Sequence, residues 1–183
     1  MIALRDVCLD DRERMLAWRN LPEVAKFMYT AHAITTQEHG AWFNRMIQDP
    51  TKKYWIIEQE GVGVGVANLE GIDQVNRYCL WALYTVPPAS PGVGIATCAM
   101  VLRYAFEKLN LHKVGSTVLA FNKTACLLHK RFEFSEEGRF REHINKNGTW
   151  HDVVYYALLQ SEWQTSERRA ARVFDTAEIN SCQ

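Results

Sequence analysis

The stretch Tyr84-Thr-Val-Pro87-Pro88-Ala-Ser-Pro91-Gly92-Val-Gly94-Ile-Ala-Thr-Cys-Ala-Met-Val-Leu102-Arg-Tyr-Ala-Phe106-Glu-Lys-Leu109-Asn-Leu-His-Lys-Val114 decides the fold. It reads as the end of a strand, a tight loop, a long amphipathic helix and the start of the next strand. Pro87, Pro88 and Pro91 end the first strand and stiffen the loop, because proline fixes φ and donates no hydrogen bond. Gly92 and Gly94 let the backbone curl. Ile95, Ala99, Leu102, Ala105, Phe106 and Leu109 then recur on one face at helical spacing. A glycine bend at a helix start presents main-chain N–H groups of Gly92, Val93, Gly94, Ile95 and Ala96, where the helix dipole adds partial positive charge. That geometry favours a phosphate or pyrophosphate.

The same glycines also suit a strand-to-helix turn that binds nothing. Two specific rivals fit poorly. A Walker-type loop needs Gly-Lys-Ser/Thr, and Gly94 is followed by Ile95-Ala96. A dinucleotide fingerprint needs a third glycine where Thr97 stands, and an acid about twenty residues on. The stretch Lys113-Val114-Gly115-Ser116-Thr117-Val118 has none.

The chain has 183 residues, 48% of them hydrophobic, enough for one domain with a substantial core. Lys plus Arg, 21, equals Asp plus Glu, 21, so no net field points to nucleic acid or a membrane surface. The N-terminus does not read as a signal peptide, and no apolar run is long enough to cross a bilayer. Five scattered cysteines (Cys8, Cys79, Cys98, Cys126, Cys182) without a Cys-x-x-Cys suit reduced thiols and a cytoplasmic protein. The histidines form no ligand pattern, so no metal is expected.

In chain order, Ile2–Val7 reads as an edge strand, followed by a short helix capped by Asp10-Asp11 and ending near Asn20. Pro22 permits a further helical turn. Thr35-Thr36-Gln37-Glu38 is a capping box that opens a helix stopped by Asp49-Pro50. Tyr54–Glu58 and Val62–Leu69 form a hairpin, whose glycines at 61, 63 and 65 invite close backbone approach. Tyr78–Val86 is apolar throughout, as a strand buried on both faces would be. Val114–Phe121 follows the long helix as a parallel strand. A helix opened by Asn122 and Thr124 comes next, then a strand Phe134–Arg141, a turn at Asn145–Gly148 and a returning strand His151–Leu159. Residues 1–163 make one domain, and residues 164–183 a polar tail, loosely docked or frayed.

That order resembles the GNAT family of acyl-CoA N-acyltransferases over nearly the whole chain. The family's pyrophosphate loop, Arg/Gln-x-x-Gly-x-Gly/Ala, is matched by Pro91-Gly92-Val93-Gly94-Ile95-Ala96, with proline in the basic position. A second family pattern appears as Asn122-Lys-Thr-Ala125-Cys-Leu-Leu128-His129-Lys-Arg-Phe132-Glu133-Phe134, with His129 for the usual tyrosine and Glu133 for the usual glycine. The resemblance implies an α/β (α+β) fold with a mixed central sheet splayed at the cofactor cleft and flanked by helices. It implies acetyl-CoA as cosubstrate, no metal, and contacts from Leu83, Val86, Gly92–Ala96, Asn122 and His129. Pantetheine would lie between the parted strands like an added strand, and a main-chain N–H near Leu83 or Tyr84 would face the thioester carbonyl. His129, or else Tyr84 or water, would return a proton to sulfur, and Glu70 or His39 would end a water path that deprotonates the amine.

A narrower resemblance, in Trp18–Val24, Phe27–Thr30, Glu38–Phe43, Leu111–Val114, Leu119–Asn122 and Trp150–Val153, is to the N-acetyltransferases of pseudaminic acid biosynthesis. These acetylate the 4-amino group of a UDP-linked 4-amino-4,6-dideoxy sugar. It implies an acceptor pocket of Arg19, Met28, Tyr29, His39, Trp42 and Tyr84, with Arg19 free for a diphosphate or held in a structural ion pair. A homodimer is compatible with it. Two other readings stay open: a RimJ/RimL-type enzyme acting on a protein N-terminus or another amine, and an idle acyl-CoA-binding module.

Overall fold

The computed structural model describes residues 1–163 and 177–180. Among these, one sheet contains β1 (Ile2–Asp6), β2 (Lys53–Gln59), β3 (Val62–Asp73), β4 (Tyr78–Thr85), β5 (Lys113–Leu119), β6 (Ser135–Lys146), β7 (Thr149–Leu159) and β8 (Ala177–Asn180). The spatial order is β6-β7-β5-β4-β3-β2-β1-β8. Pairing is antiparallel except for β4 with β5 and β1 with β8. Helices α1 (Arg12–Arg19), α2 (Pro22–Ala25), α3 (Thr36–Met46), α4 (Val93–Arg103) and α5 (Lys123–Arg131) flank it. The expected mixed, helix-flanked architecture is therefore present.

The sheet separates two cores. Behind it α4 buries Val93, Val101 and Leu102 among Leu4, Trp55, Leu69 and Trp81. In front, α1 and α3 bring Met15, Phe43 and Met46 onto Ile56 and Val66. The capping box of α3 forms as its sequence predicts: Glu38 N–H donates to Thr35 Oγ1 at 3.2 Å, and Thr35 N–H to the Glu38 carboxylate at 2.8 Å.

Several expectations need correction. β1 is no edge strand, because β8 from the tail pairs along it from Ile2 to Arg5. That part of the tail is thus strand, while residues 164–176 and 181–183 lie outside the described residues. β4 is not buried on both faces: Cys79 and Trp81 are buried behind the sheet, but Ala82 is exposed and Tyr84 half-buried in front, where a cleft opens. α4 ends at Arg103 and passes into a π turn over Tyr104–Lys108. β6 runs to Lys146, beyond the expected Arg141.

Gly65 is where the anticipated close approach occurs. A Cβ there would collide with the Tyr84 carbonyl oxygen and lie 2.9 Å from Thr85 Cα, both backbone atoms that cannot swing aside. Gly65→Ala is expected to cost about 2–3 kcal/mol of stability. Gly40→Ala, in α3 with nothing within 4 Å of the added methyl, should add about 0.5–1 kcal/mol. Urea unfolding of both variants checks the contrast.

Candidate active site

β4 and β5 pair only at Tyr78–Lys113, Cys79–Val114 and Leu80–Gly115. Beyond that rung β4 continues to Thr85 along β3, and β5 continues to Leu119 along β7, so each is held by its outer neighbour while the inner edges part. The last rung sits at Gly115, over which the Tyr78 and Tyr155 hydroxyls meet at 3.0 Å; any Cβ at 115 would strike Tyr155.

The parting exposes main-chain groups, and register says which. Val86 N–H donates to Val64 O at 2.8 Å. Antiparallel pairs alternate, so with Tyr84 opposite Val66 and Leu83 opposite Ala67, the Tyr84 amide turns toward β3 and the Leu83 amide toward the gap. Of the two oxyanion donors that the sequence left open, the geometry favours Leu83. Val86 is buried, its amide taken by Val64.

The gap belongs to a cavity of about 1220 Å³, above the few hundred to a thousand Å³ usual for one small ligand. At one end lies the glycine bend. Gly92, with φ 95°, is the N-cap of α4. The Val93 amide bonds Ser90 O at 3.3 Å, and the Ile95 and Ala96 amides both bond Gly92 O at 3.0 Å. Of the five amides expected to be offered, those of Gly92 and Gly94 are the ones without a protein acceptor among the described residues. Pro91 in the basic position leaves both in place. The bend is bracketed from the β2–β3 hairpin: Ser90 N–H donates to Gln59 Oε1 at 3.0 Å and Gln59 Nε2 to Ser90 Oγ at 2.6 Å. This contact joins residues 31 apart and is invisible to local sequence patterns. The bend's free amides and the unpaired inner edges of β4 and β5 fit the phosphates and amides of acetyl-CoA. Asn122, on the cavity wall, opens α5 as its sequence predicts, its Oδ1 accepting the Ala125 N–H at 3.1 Å.

His129 departs most from its expected role. It is 3% exposed, stacked on Tyr156 and ringed by Trp81 and Phe134. Nδ1 lies 2.7 Å from Ala125 O and must donate to it, which leaves Nε2 bare, and Nε2 is buried without a partner. Burial lowers its pKa to about 4, against a smaller upward push from the Ala125 bond. At neutral pH the ring is uncharged and its free nitrogen carries a lone pair, so it cannot give a thiolate its proton. Of the two readings of His129, this geometry favours packing beside the cleft over the acid.

At the other end the cavity is lined by Arg19, Met28, Tyr29, Tyr54, Glu70 and Tyr84. Arg19 is half-buried, and its Nη2 donates to Thr30 Oγ1 at 2.6 Å. No carboxylate lies in ion-pair range of it among the described residues, which removes the structural-ion-pair alternative. Desolvation lowers its pKa, partly offset by Tyr84. Tyr29 reaches Thr117 on β5 from across the cleft. Glu70 accepts from the Tyr54 hydroxyl and faces Lys52 Nζ at 3.8 Å. Burial holds the Tyr84 hydroxyl well above its ordinary pKa, with Arg19 pulling weakly the other way, so it stays protonated.

His39 and Trp42 are not brought to the cleft wall. His39 is 4% exposed, its ring 5.2 Å from Trp42, and Trp42 stands edge-on to Tyr54 at 5.7 Å. They support Tyr54 from behind. Tyr54, which sequence reasoning missed, was hidden because its alternating strand reads as core. Among the described residues no group of side chains is arranged to hold a metal ion, and no helix is long and apolar enough to cross a membrane.

The depressed pKa of His129 has a consequence for stability. A folded-state value below the unfolded one means its contribution is whole above pH 6.5 and is lost as pH falls toward 4. From pH 7 to 4 this group should remove roughly 3 kcal/mol. His129→Gln should lack that share of the acid slope and keep the neutral-to-alkaline limb of the rate profile. Urea unfolding at stepped pH, with kcat from pH 6 to 9, checks both.

Comparison with known proteins agrees with this geometry. Residues 2–135 match the acetyltransferase (GNAT) domain family. YdaF of Bacillus subtilis, named as a ribosomal N-acetyltransferase, is 36% identical over 107 residues, 57% of this chain and 58% of that protein, so the chain spans less than two thirds of its length. Acetyltransferase PseH of Campylobacter jejuni is 30% identical over 123 residues, 67% of this chain and 76% of that one. In shape, spermidine N-acetyltransferase of Vibrio cholerae, solved with CoA and spermine, superposes with a TM-score of 0.83 over 89% of this chain and 98% of its own, at 24% identity. On the family match, which covers most of its length, and on the parted strands and glycine bend that it carries, the chain belongs to the GNAT family of acetyltransferases.

Proposed function

We propose that the protein transfers an acetyl group from acetyl-CoA to the 4-amino group of a UDP-4-amino-4,6-dideoxy sugar, as in pseudaminic acid biosynthesis, by direct transfer in a ternary complex. The observation that carries this choice of acceptor is the half-buried, carboxylate-free guanidinium of Arg19 on the acceptor wall. An uncompensated cation there disfavours a polyamine and favours an anion, and a planar fork suits a diphosphate. Arg19, Lys26 and Arg131 on the cavity wall face only Glu23 and Glu70. Met28 and Tyr29 offer apolar and aromatic surface to a deoxy sugar or a base.

Acetyl-CoA, when bound, supplies the activated acetyl group. The Gly92 and Gly94 amides, at the positive end of α4, would hold its diphosphate. The Leu83 amide donates to the carbonyl oxygen as charge develops there, fixed in place by the β3–β4 ladder before reaction begins. Tyr84, kept protonated by burial, is the hydroxyl that returns a proton to sulfur. Glu70, held by Tyr54 and facing Lys52, ends the path by which the acceptor ammonium loses its proton.

Thiol release from acetyl-CoA, measured with UDP-4-amino sugars, spermidine and N-terminal peptides, tests the acceptor. The sugar nucleotide should be preferred by at least about a hundredfold in kcat/KM. Preference for a peptide would favour the reading that the likeness to YdaF supports, and coenzyme binding without turnover on any amine would favour the idle module. Arg19→Met should raise the KM for the sugar nucleotide at least about tenfold, one charge-assisted hydrogen bond's worth, and leave the KM for acetyl-CoA within about twofold. Tyr84→Phe should lower kcat about a hundredfold, with coenzyme affinity, read by calorimetry, unchanged.

A further inference from the structure

The segment after α2 carries Met28, Tyr29 and Thr30 to the acceptor wall, yet it has little structure of its own. α2 is four residues long, and only single turns follow it, Phe27 N–H to Val24 O and Met28 N–H to Ala25 O. Its far end is tied by Asn20, whose side chain donates to Ile34 O at 2.9 Å and accepts the Ile34 N–H at 2.8 Å. Its middle is tied by a residue more than a hundred positions away. Lys146, the last residue of β6 at the tip of the β6–β7 hairpin, turns its ammonium onto three main-chain carbonyls: Met28 O, Thr30 O at 3.1 Å and Ala25 O at 3.3 Å.

An ammonium has three donors and no acceptor, so three converging carbonyls use all it offers. Such bonds are roughly twice as strong as neutral ones. Carbonyls, unlike a carboxylate, leave the positive charge standing. Thr30, whose carbonyl Lys146 holds, is also the residue whose hydroxyl accepts from Arg19. One tie therefore fixes both the wall and its cation.

We propose that Lys146 is a positioning residue for the acceptor: its clamp on the 25–30 carbonyls holds Met28, Tyr29 and, through Thr30, Arg19 in the arrangement that an acceptor meets. The identity of that acceptor rests on the function proposed above; the clamp does not. Lys146→Met keeps the apolar stem and removes the charge, at a hairpin tip where the fold is not at risk.

Two measurements test this. Hydrogen exchange of the free protein should show the bonded amides in 26–34, those of Lys26, Phe27, Met28 and Ile34, exchanging at least about tenfold faster in the variant, the loss of about 1.4 kcal/mol. Amides of β4 and α4 should be unchanged. With an acceptor that the wild type turns over, the KM for that acceptor should rise at least about tenfold, with kcat at saturation and the KM for acetyl-CoA within about twofold. Unchanged exchange in 26–34 overturns the clamp. Equal rises in both KM values overturn its acceptor-specific role. If the wild type ignores every sugar nucleotide, the proposed function falls, and the exchange experiment still decides on Lys146.

Discussion

Everything functional in this protein depends on two adjacent parallel strands that stop pairing after three rungs. Unpaired main-chain groups inside a protein are costly, and a sheet left to itself would close. Here each strand is committed to its outer neighbour for its full length, β4 to β3 and β5 to β7. The Tyr78–Tyr155 hydroxyl pair lies over Gly115 at the last shared rung. A ligand with amides of its own, lying between them, would pair with the open edges.

Around that opening the chemistry divides by protonation. His129 is a base that burial has silenced, its one donor spent on Ala125. Tyr84 is a hydroxyl that burial keeps neutral and protonated. Both effects have the same origin, the cost of placing ions in low dielectric. A family pattern read by residue type alone would give the proton to the residue that stands where the tyrosine usually does. The environment leaves that residue uncharged and keeps a hydroxyl on the central strand protonated.

Much of this was legible in the sequence because it was local. Gly92-x-Gly94 after three prolines, the Thr35–Glu38 box and the Asn122 cap each write their structure within four residues. What was not legible is non-local. β1 looked like an edge because its second partner is some 175 residues away. The aromatic face of α3 was plain from spacing, yet spacing cannot say whether a face looks into a cleft or behind one, and His39 and Trp42 turned out to stand behind Tyr54. Arg19 was visible as a guanidinium, but its lack of a carboxylate is a property of the whole neighbourhood. Lys146 was hidden in a turn that the sequence marked only as a hairpin.

The alternation of β4 has a topological result. Leu83 points its side chain into the core under α4, while Tyr84 points into the core under α1 and α3. One lip of the rift between β4 and β5 is therefore anchored on both faces of the sheet. Both packing layers thus grip the same short strand, so a repacking on either face is felt at the rim of the opening.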